Sequence, residues 1–137
     1  MKLNPDCVRD TLLTLESLLT ISVDPDIRFV YCTPKAVVKE MTSKGFTYSP
    51  EDIVYTLIQL SKSGYIDTDF SRSYRGIITY KHVYYITPKG HDLLSSISNS
   101  STWKEKILPV LGKIGGFSLT LLQSVAISVV ERTFFPE

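Results

Sequence analysis

The hydrophobic positions near the start of the chain follow the spacing of a helix. Apolar side chains recur at intervals of four, three and four residues, at Val8, Leu12, Leu15 and Leu19. Residues at this spacing share one face of an α-helix, so they predict a helix that buries that face. Asn4 can cap this helix, and Pro5 suits its first position because the missing N–H would be unbonded there in any case. The pattern carries the helix to about Thr20.

Two further helices begin with the same pairing of a capping hydroxyl and a proline. Thr33-Pro34 opens a second helix that stops before Gly45, and Ser49-Pro50 opens a third. The third helix has apolar residues on one face, namely Ile53, Val54, Leu57 and Leu60. Gly64 stands where a left-handed C-terminal cap is expected. Between the first two helices, the sequence predicts a turn at Asp24-Pro25-Asp26 and then a short extended run, "IRFVYC".

After Gly64 the hydrophobic period changes. The runs "YIDTDF" and "IITYKHVYYI" are rich in β-branched and aromatic residues, and the stretch between them is turn-like. They predict a β-hairpin with a polar tip, in which alternate residues such as Tyr84 and Ile86 pack inward. Thr87-Pro88 then opens a fourth helix. The predicted order is therefore α, β, α, α, β, β, α.

This order is typical of a winged helix-turn-helix, in which the long hairpin is the wing. The predicted fold class is mainly α with a small antiparallel β-hairpin (α+β), followed by a C-terminal helical extension. We place the winged-helix domain at residues 1–98 and the extension at residues 99–137. The serine-rich stretch "SSISNSST" is expected to end the fourth helix and then act as a linker. The extension is expected to hold two helices, the first of them bent at Pro109.

Two motifs and several longer stretches resemble known families. "LIQLSKSGYI" from Leu57 resembles the signature that closes the recognition helix of many bacterial winged-helix regulators, and "ITPKGHDLL" from Ile86 resembles the motif that follows their wing. "MKLNPDCVRD", "TYSPEDIVYTLIQLSKSGYI" and Trp103-Lys104 further resemble a small Firmicute and prophage family of unknown function that includes the YjcQ proteins. The resemblance runs from Met1 to about Lys113. It implies the winged-helix fold and brings no catalytic motif.

The third helix and the hairpin would form the face that meets double-stranded DNA in such a fold. Amides and hydroxyls can hydrogen-bond base edges, and basic side chains can reach phosphates. Residues 70–91 contain four basic residues and no carboxylate, which suits a wing that contacts a phosphate or enters a minor groove. The candidate DNA-binding residues are Tyr55, Thr56, Gln59, Lys62, Arg72, Arg75 and Lys81.

Two acidic residues in the first turn of the third helix oppose this interpretation. Glu51 and Asp52 would be repelled by phosphates at the end of the helix that usually approaches the bases. Acids also favour a helix N-terminus, and Asp52 can form a capping box with Ser49. Two functions from different classes therefore remain open, and the wing without carboxylates favours the first. The first is a DNA-binding regulator or accessory factor of prophage or bacterial origin, and the second is a winged-helix protein–protein interaction module without DNA binding.

Composition and charge narrow the classes of partner, site and location that the sequence allows. The net charge of the 137 residues is +1, so no global charge points to nucleic acid or to a membrane surface. Cys7 and Cys32 lack ligand-spaced partners, which favours buried reduced thiols over a metal site. No set of residues suits catalysis, so we expect neither an enzyme nor a cofactor. The first ten residues lack the apolar core of a signal peptide, which indicates a cytoplasmic protein.

The last predicted helix carries an apolar arc that covers more than half of its circumference. A helix that packs against a single surface needs a narrower apolar arc. A membrane span is not expected, because the stretch from Phe117 to Val130 is too short and is broken by Gln123 and serines. A homodimer would bury the apolar side chains that a single packing surface leaves exposed. The candidate dimerisation residues are Leu121, Leu122, Val125 and Val129. A heterologous partner and burial within the same chain are the alternatives.

Overall fold

The computed structural model describes residues 2–72, 75–80, 82–114 and 116–134, excluding the side chains of Arg72, Thr133 and Phe134. The α-helices within this part of the chain are α1 (Pro5–Leu18), α2 (Pro34–Ser43), α3 (Pro50–Lys62), α4 (Pro88–Ile97), α5 (Ser100–Thr102), α6 (Leu108–Lys113) and α7 (Leu119–Phe134). The strands are β1 (Thr20–Ser22), β2 (Arg28–Val30), β3 (Ile66–Thr68), β4 (Ser71–Arg72), β5 (Ile78–Thr79) and β6 (Val83–Ile86). The chain is mainly helical, in agreement with the predicted α+β class.

The proline-started helices form as predicted, because each cap satisfies backbone donors that the helix itself leaves free. The Oδ1 atom of Asn4 accepts hydrogen bonds from the N–H groups of residues 6 and 7. The hydroxyls of Thr33, Ser49 and Thr87 each accept one from the N–H group three residues further on. Helix α1, however, ends at Leu18.

The residues that follow α1 form a β-hairpin, of which the sequence predicted the turn at Asp24-Pro25-Asp26 and the second strand but not the first. Strands β1 and β2 pair in antiparallel fashion, with Ile21 opposite Phe29, and we call residues 20–30 the short hairpin. The long hairpin, residues 66–86, consists of β3 paired with β6 and, beyond them, β4 paired with β5. Backbone hydrogen bonds in both directions between Cys32 and Val83, at N···O distances of 3.1 and 2.8 Å, join the two hairpins.

A register shift changes which face each residue of β6 occupies. Thr68 pairs with Val83 and Asp67 pairs with Tyr85, so Tyr84 is the extra residue of a bulge. The bulge places both Val83 and Ile86 in the core, although they are three positions apart. The prediction that Ile86 packs inward is confirmed. The same prediction is wrong for Tyr84, which is only half-buried.

Residues 99–134 share a hydrophobic core with the rest of the chain, and no linker separates them. Helix α7 packs on α4, and the continuous core includes buried side chains from both sides of the predicted boundary at residue 98. The indole Nε1 of Trp103 donates to Asp6 Oδ1 at 2.9 Å, and Arg9 donates to the carbonyl oxygens of Ile97 and Ser98 at 2.8 Å. The predicted linker is wrong, because Asn99 caps α5 directly after α4 ends.

A π-helical turn precedes Pro109, the residue at which the sequence predicted a bend. Residues Trp103–Ile107 form this turn between α5 and α6, and the N–H of Leu108 donates to the carbonyl oxygen of Trp103. Proline has no N–H, and its ring would clash with a carbonyl oxygen four residues earlier in a regular α-helix. In a π-helical turn each N–H bonds to the carbonyl oxygen five residues earlier, and such a turn is one way for a helix to accommodate a proline.

Candidate interaction surfaces

Helix α3 presents fewer polar residues to solvent than its sequence predicts. Thr56, which we placed on the outer face, is 2% exposed. Its hydroxyl donates to the carbonyl oxygen of Asp52 at 2.8 Å and lies 3.5 Å from the Sγ atom of Cys7 in α1. The prediction of Thr56 as a DNA contact is therefore wrong: its hydroxyl has partners inside the protein, and its methyl group fits the core.

Two other candidates on α3 lie half-buried beside the start of α7. Tyr55 and Gln59 line a groove of about 550 Å³ together with the residues that lead into α7. The other lining residues are Lys2, Leu3, Ser63, Gly116, Phe117, Ser118, Leu119 and Thr120. Lys62 is exposed at the end of α3. Residues 116–120 therefore border part of the face that we expected to be open to DNA.

The other side of Tyr55 borders an apolar groove between α3 and the long hairpin. This α3–hairpin groove measures about 430 Å³ and is lined by Pro50, Glu51, Val54, Tyr55, Ile58 and Ile78. Ile78, on strand β5, is 46% exposed. Glu51 and Asp52, in the first turn of α3, are also exposed. The groove is thus apolar at its centre and acidic at one end.

The candidates on the long hairpin are described only in part. Arg75 is exposed near the tip, where Gly76 takes a left-handed φ of 78° and permits the turn. The backbone of Arg72 lies in β4, but its side chain and the whole of Lys81 fall outside the described residues. Their predicted phosphate contacts remain predictions.

A contact that the sequence did not predict occupies the base of the long hairpin. The Nδ1 atom of His82 lies 2.8 Å from Asp69 Oδ2, and the backbone N–H of His82 donates to Asp69 Oδ1 at 2.8 Å. Tyr31 packs edge-on against the rings of both His82 and Tyr84. The pairing of residues 69 and 82 depends on strand register, which the sequence pattern did not define. These contacts fix the side chains where the two hairpins meet.

Helix α7 buries most of its predicted dimerisation residues inside the same chain. Leu122 is fully buried, Val125 and Val129 are 8% exposed, and Leu121 is half-buried against the core. Their partners include α4 and the π-helical turn. The prediction that Leu122, Val125 and Val129 form a dimer face is therefore wrong, and burial within the chain, one of the alternatives, is what occurs.

The short hairpin instead carries the most exposed apolar side chains. Ile21 and Phe29 lie opposite each other on the paired strands, and Val23, Ile27 and Tyr31 continue the same alternate positions beyond the strand ends. We call them the short-hairpin face: Ile21, Val23, Ile27, Phe29 and Tyr31. The extended run from Ile27 was predicted, but Ile21 and Val23, between the predicted end of the first helix at about Thr20 and the predicted turn, were not assigned to a strand.

The two cysteines are free and buried, as predicted. Burial raises the pKa of the Cys32 thiol to about 11. Burial also raises the pKa of Cys7, although hydrogen bonds with Thr56 and Thr11 oppose that shift. Within the described residues, no cluster of three or more His, Cys, Asp or Glu side chains could hold a metal ion. None of the helices in this part of the chain is long and apolar enough to cross a membrane.

These features define a mainly helical α+β protein with two exposed apolar surfaces. Residues 2–113 match the family described as "Hypothetical protein (DUF2513)", and the chain belongs to that family. The match covers nearly the same range as the resemblance seen in the sequence. The chain matches no curated protein and no solved structure.

Proposed function

We propose that the chain is a winged-helix protein that binds a partner protein through the α3–hairpin groove. In this proposal α3 is the recognition helix and the long hairpin is the wing. The isolated Cys32–Val83 bridge supports it, since it joins the extended segment between the first two helices to β6 of the β3–β6 pair. The sequence resemblance favours a bacterial or prophage protein that acts in the cytoplasm.

The apolar lining of the α3–hairpin groove is the observation that carries this function. The groove lies where the recognition helix and wing of such a fold would meet a nucleic acid. Val54, Ile58 and Ile78 line it, and none of them can contact a phosphate. Interface centres are depleted in charge and enriched in apolar and aromatic residues, whereas DNA contacts are polar and positive. The groove therefore has the character of a protein interface.

The charges at the rim indicate the chemistry of the partner. Glu51 and Asp52 are exposed in the first turn of α3, beside the apolar lining. The complementary ligand is an amphipathic segment with apolar side chains for the groove and a lysine or arginine at one end. The same carboxylates would repel the phosphates of DNA.

DNA binding is the second candidate, and the basic residues near the tip favour it. Residues 70–91 contain no carboxylate, and Arg75 and Lys62 are both exposed. Phosphate contacts by such residues would give binding that does not depend on sequence and weakens steeply with salt.

One pair of measurements separates the two candidates. A photo-crosslinking amino acid at position 78 is introduced into the full chain in its host, and the captured peptide is mapped by mass spectrometry. The same probe at position 127, on the exposed side of α7, is the control. In parallel, the anisotropy of a labelled DNA duplex is followed at low and moderate salt.

The proposal predicts that the crosslinked peptide contains apolar residues next to a basic one. It also predicts that the crosslink is lost in the Glu51→Arg variant and that the duplex shows no salt-dependent binding. A crosslink that is absent, or insensitive to Glu51→Arg, would contradict the proposed groove. Salt-dependent duplex binding that Arg75→Ala weakens would make DNA binding the better description.

A further inference from the structure

The short-hairpin face is the largest apolar feature that the proposed function leaves unused. The exposed fractions of its side chains are 59% for Ile21, 73% for Val23, 83% for Ile27, 47% for Phe29 and 52% for Tyr31. Their apolar side chains alternate with polar ones from Thr20 to Val23 and from Ile27 to Phe29, and Val30, which is also apolar, is 40% exposed. Alternation of this kind is typical of a strand that is covered on one face. Within the described chain, that face is left largely open.

A groove opens at the base of the same hairpin. It measures about 210 Å³, and Ile21 and Phe29 form one wall. The other lining residues are Glu16, Leu19, Thr20, Tyr84, Tyr85, Ile86 and His91. Phe29 stacks on Tyr85 with ring centroids 4.6 Å apart, which holds this wall against the long hairpin. The space is apolar inside and has one carboxylate and one imidazole at its edge.

The tip of the hairpin has the chemistry that this groove accepts. Ile27 is the most exposed of the large apolar side chains, and the charged residues Asp24, Asp26 and Arg28 lie beside it. An isoleucine fits an apolar space of this size. Arg28 can pair with a carboxylate such as Glu16, and an acidic tip residue can pair with His91. The groove and the tip are therefore complementary features of the same chain.

We propose that two copies of this chain associate through their short hairpins, each placing Ile27 in the groove of the other. Such an exchange is isologous, because each copy contributes both the tip and the groove. Arg28 of each copy then pairs with Glu16 of the other. This interface shares no residue with the α3–hairpin groove, so it leaves that groove open to its partner.

The exposed area agrees with a dimer of modest affinity. Added together, the exposed fractions of the five side chains correspond to about three fully exposed residues. This is on the order of 500 Å² of mostly apolar surface. Specific interfaces bury about 800 Å² on each partner. The face supplies most of that area, and the charged residues around it supply the remainder.

Sedimentation velocity of the full chain over a wide range of concentration tests this interface. The wild-type chain is expected to convert from monomer to dimer as concentration rises. Ile27→Asp should weaken the dimer about 30-fold or more, because it places a charge in an apolar groove. Ile127→Asp, a matched change on the exposed side of α7, should leave it unchanged. Circular dichroism confirms that each variant is folded.

Charge reversal tests the orientation of the two copies. Glu16→Arg and Arg28→Glu should each weaken the dimer about fivefold, and the double variant should restore it. A wild-type chain that stays monomeric at its highest soluble concentration would overturn the proposal. A dimer that is as stable in Ile27→Asp as in the wild type, or that Ile127→Asp weakens equally, would overturn it as well. Failure of the double variant to restore association would contradict the exchange of tips.

Discussion

The two hairpins have similar compositions but very different surroundings. Both are rich in β-branched and aromatic residues. In the long hairpin, Val83 is fully buried and Ile86 is 6% exposed, because helices pack against the β3–β6 pair. In the short hairpin, the apolar face projects into solvent. A two-stranded hairpin without cover is at best marginally stable in water. The β3–β6 pair therefore has its cover within the chain, whereas the short hairpin is covered only in part, by contacts such as that of Phe29 with Tyr85, and the proposed second copy would cover the rest.

The largest effect is expected where the long hairpin meets α4. A Cβ atom added at Gly90 would overlap the backbone carbonyl oxygen of Tyr65 and the Cγ2 atom of Ile86. Backbone cannot move aside as a flexible side chain can, so Gly90→Ala should reduce the free energy of unfolding by about 3 kcal/mol or more. Urea unfolding followed by circular dichroism measures this change.

Gly76 at the tip of the same hairpin provides the control. It has open space around it but a φ of 78°, so Gly76→Ala should cost only about 1 kcal/mol. Equal losses at the two glycines would show that close packing at the base is not what supports the long hairpin.

A matched pair of valines sharpens the contrast between the hairpins. Val83→Ala removes methyl groups from the core and should reduce the free energy of unfolding by about 2 kcal/mol. Val23→Ala makes the same change at a position that is 73% exposed, and should alter it by less than about 0.5 kcal/mol. Both values are obtained from urea unfolding at low protein concentration, where association does not contribute. A large loss at Val23 would mean that the monomer itself covers the short hairpin.

A separate effect, which depends on pH, is expected at Cys32, where the hairpins join. Burial raises the pKa of this thiol from 9.0 in the unfolded chain to about 11 in the folded one. Because the folded state holds the proton more tightly, this contribution to stability is present below pH 9.0 and is lost as the pH rises towards 11.

Replacement by alanine isolates the contribution of Cys32. The difference in unfolding free energy between the wild type and Cys32→Ala should fall across this alkaline range and stay constant below it. Urea unfolding at a series of pH values measures it. A difference that rises with pH would contradict burial of the thiol.

Local signals explain why some elements were predictable. A capping residue followed by proline sets each helix start through contacts within a few residues, and Asn4, Thr33, Ser49 and Thr87 all behave as expected. The start of the short hairpin was missed because Leu19 continues the helical spacing of α1. Pairing of β1 with β2 overrides that local pattern.

Errors at the candidate sites arise from contacts that are distant in sequence. Thr56 was assigned to the outer face from the rotation of 100° per residue, yet it lies between Ile53 and Leu60 on the helix and faces Cys7. The dimer face on α7 was misassigned because its apolar arc meets α4 of the same chain. The partner of His82 depended on a strand register that no local motif encodes.

Hydrogen–deuterium exchange at several protein concentrations tests the contrast between the hairpins most directly. If a second copy covers the short hairpin, the amides of residues 20–30 should become more protected as concentration rises. The amides of the β3–β6 pair should exchange at a constant rate, because their cover belongs to the same chain. Exchange of residues 20–30 that is independent of concentration, or an equal response in both hairpins, would contradict the account.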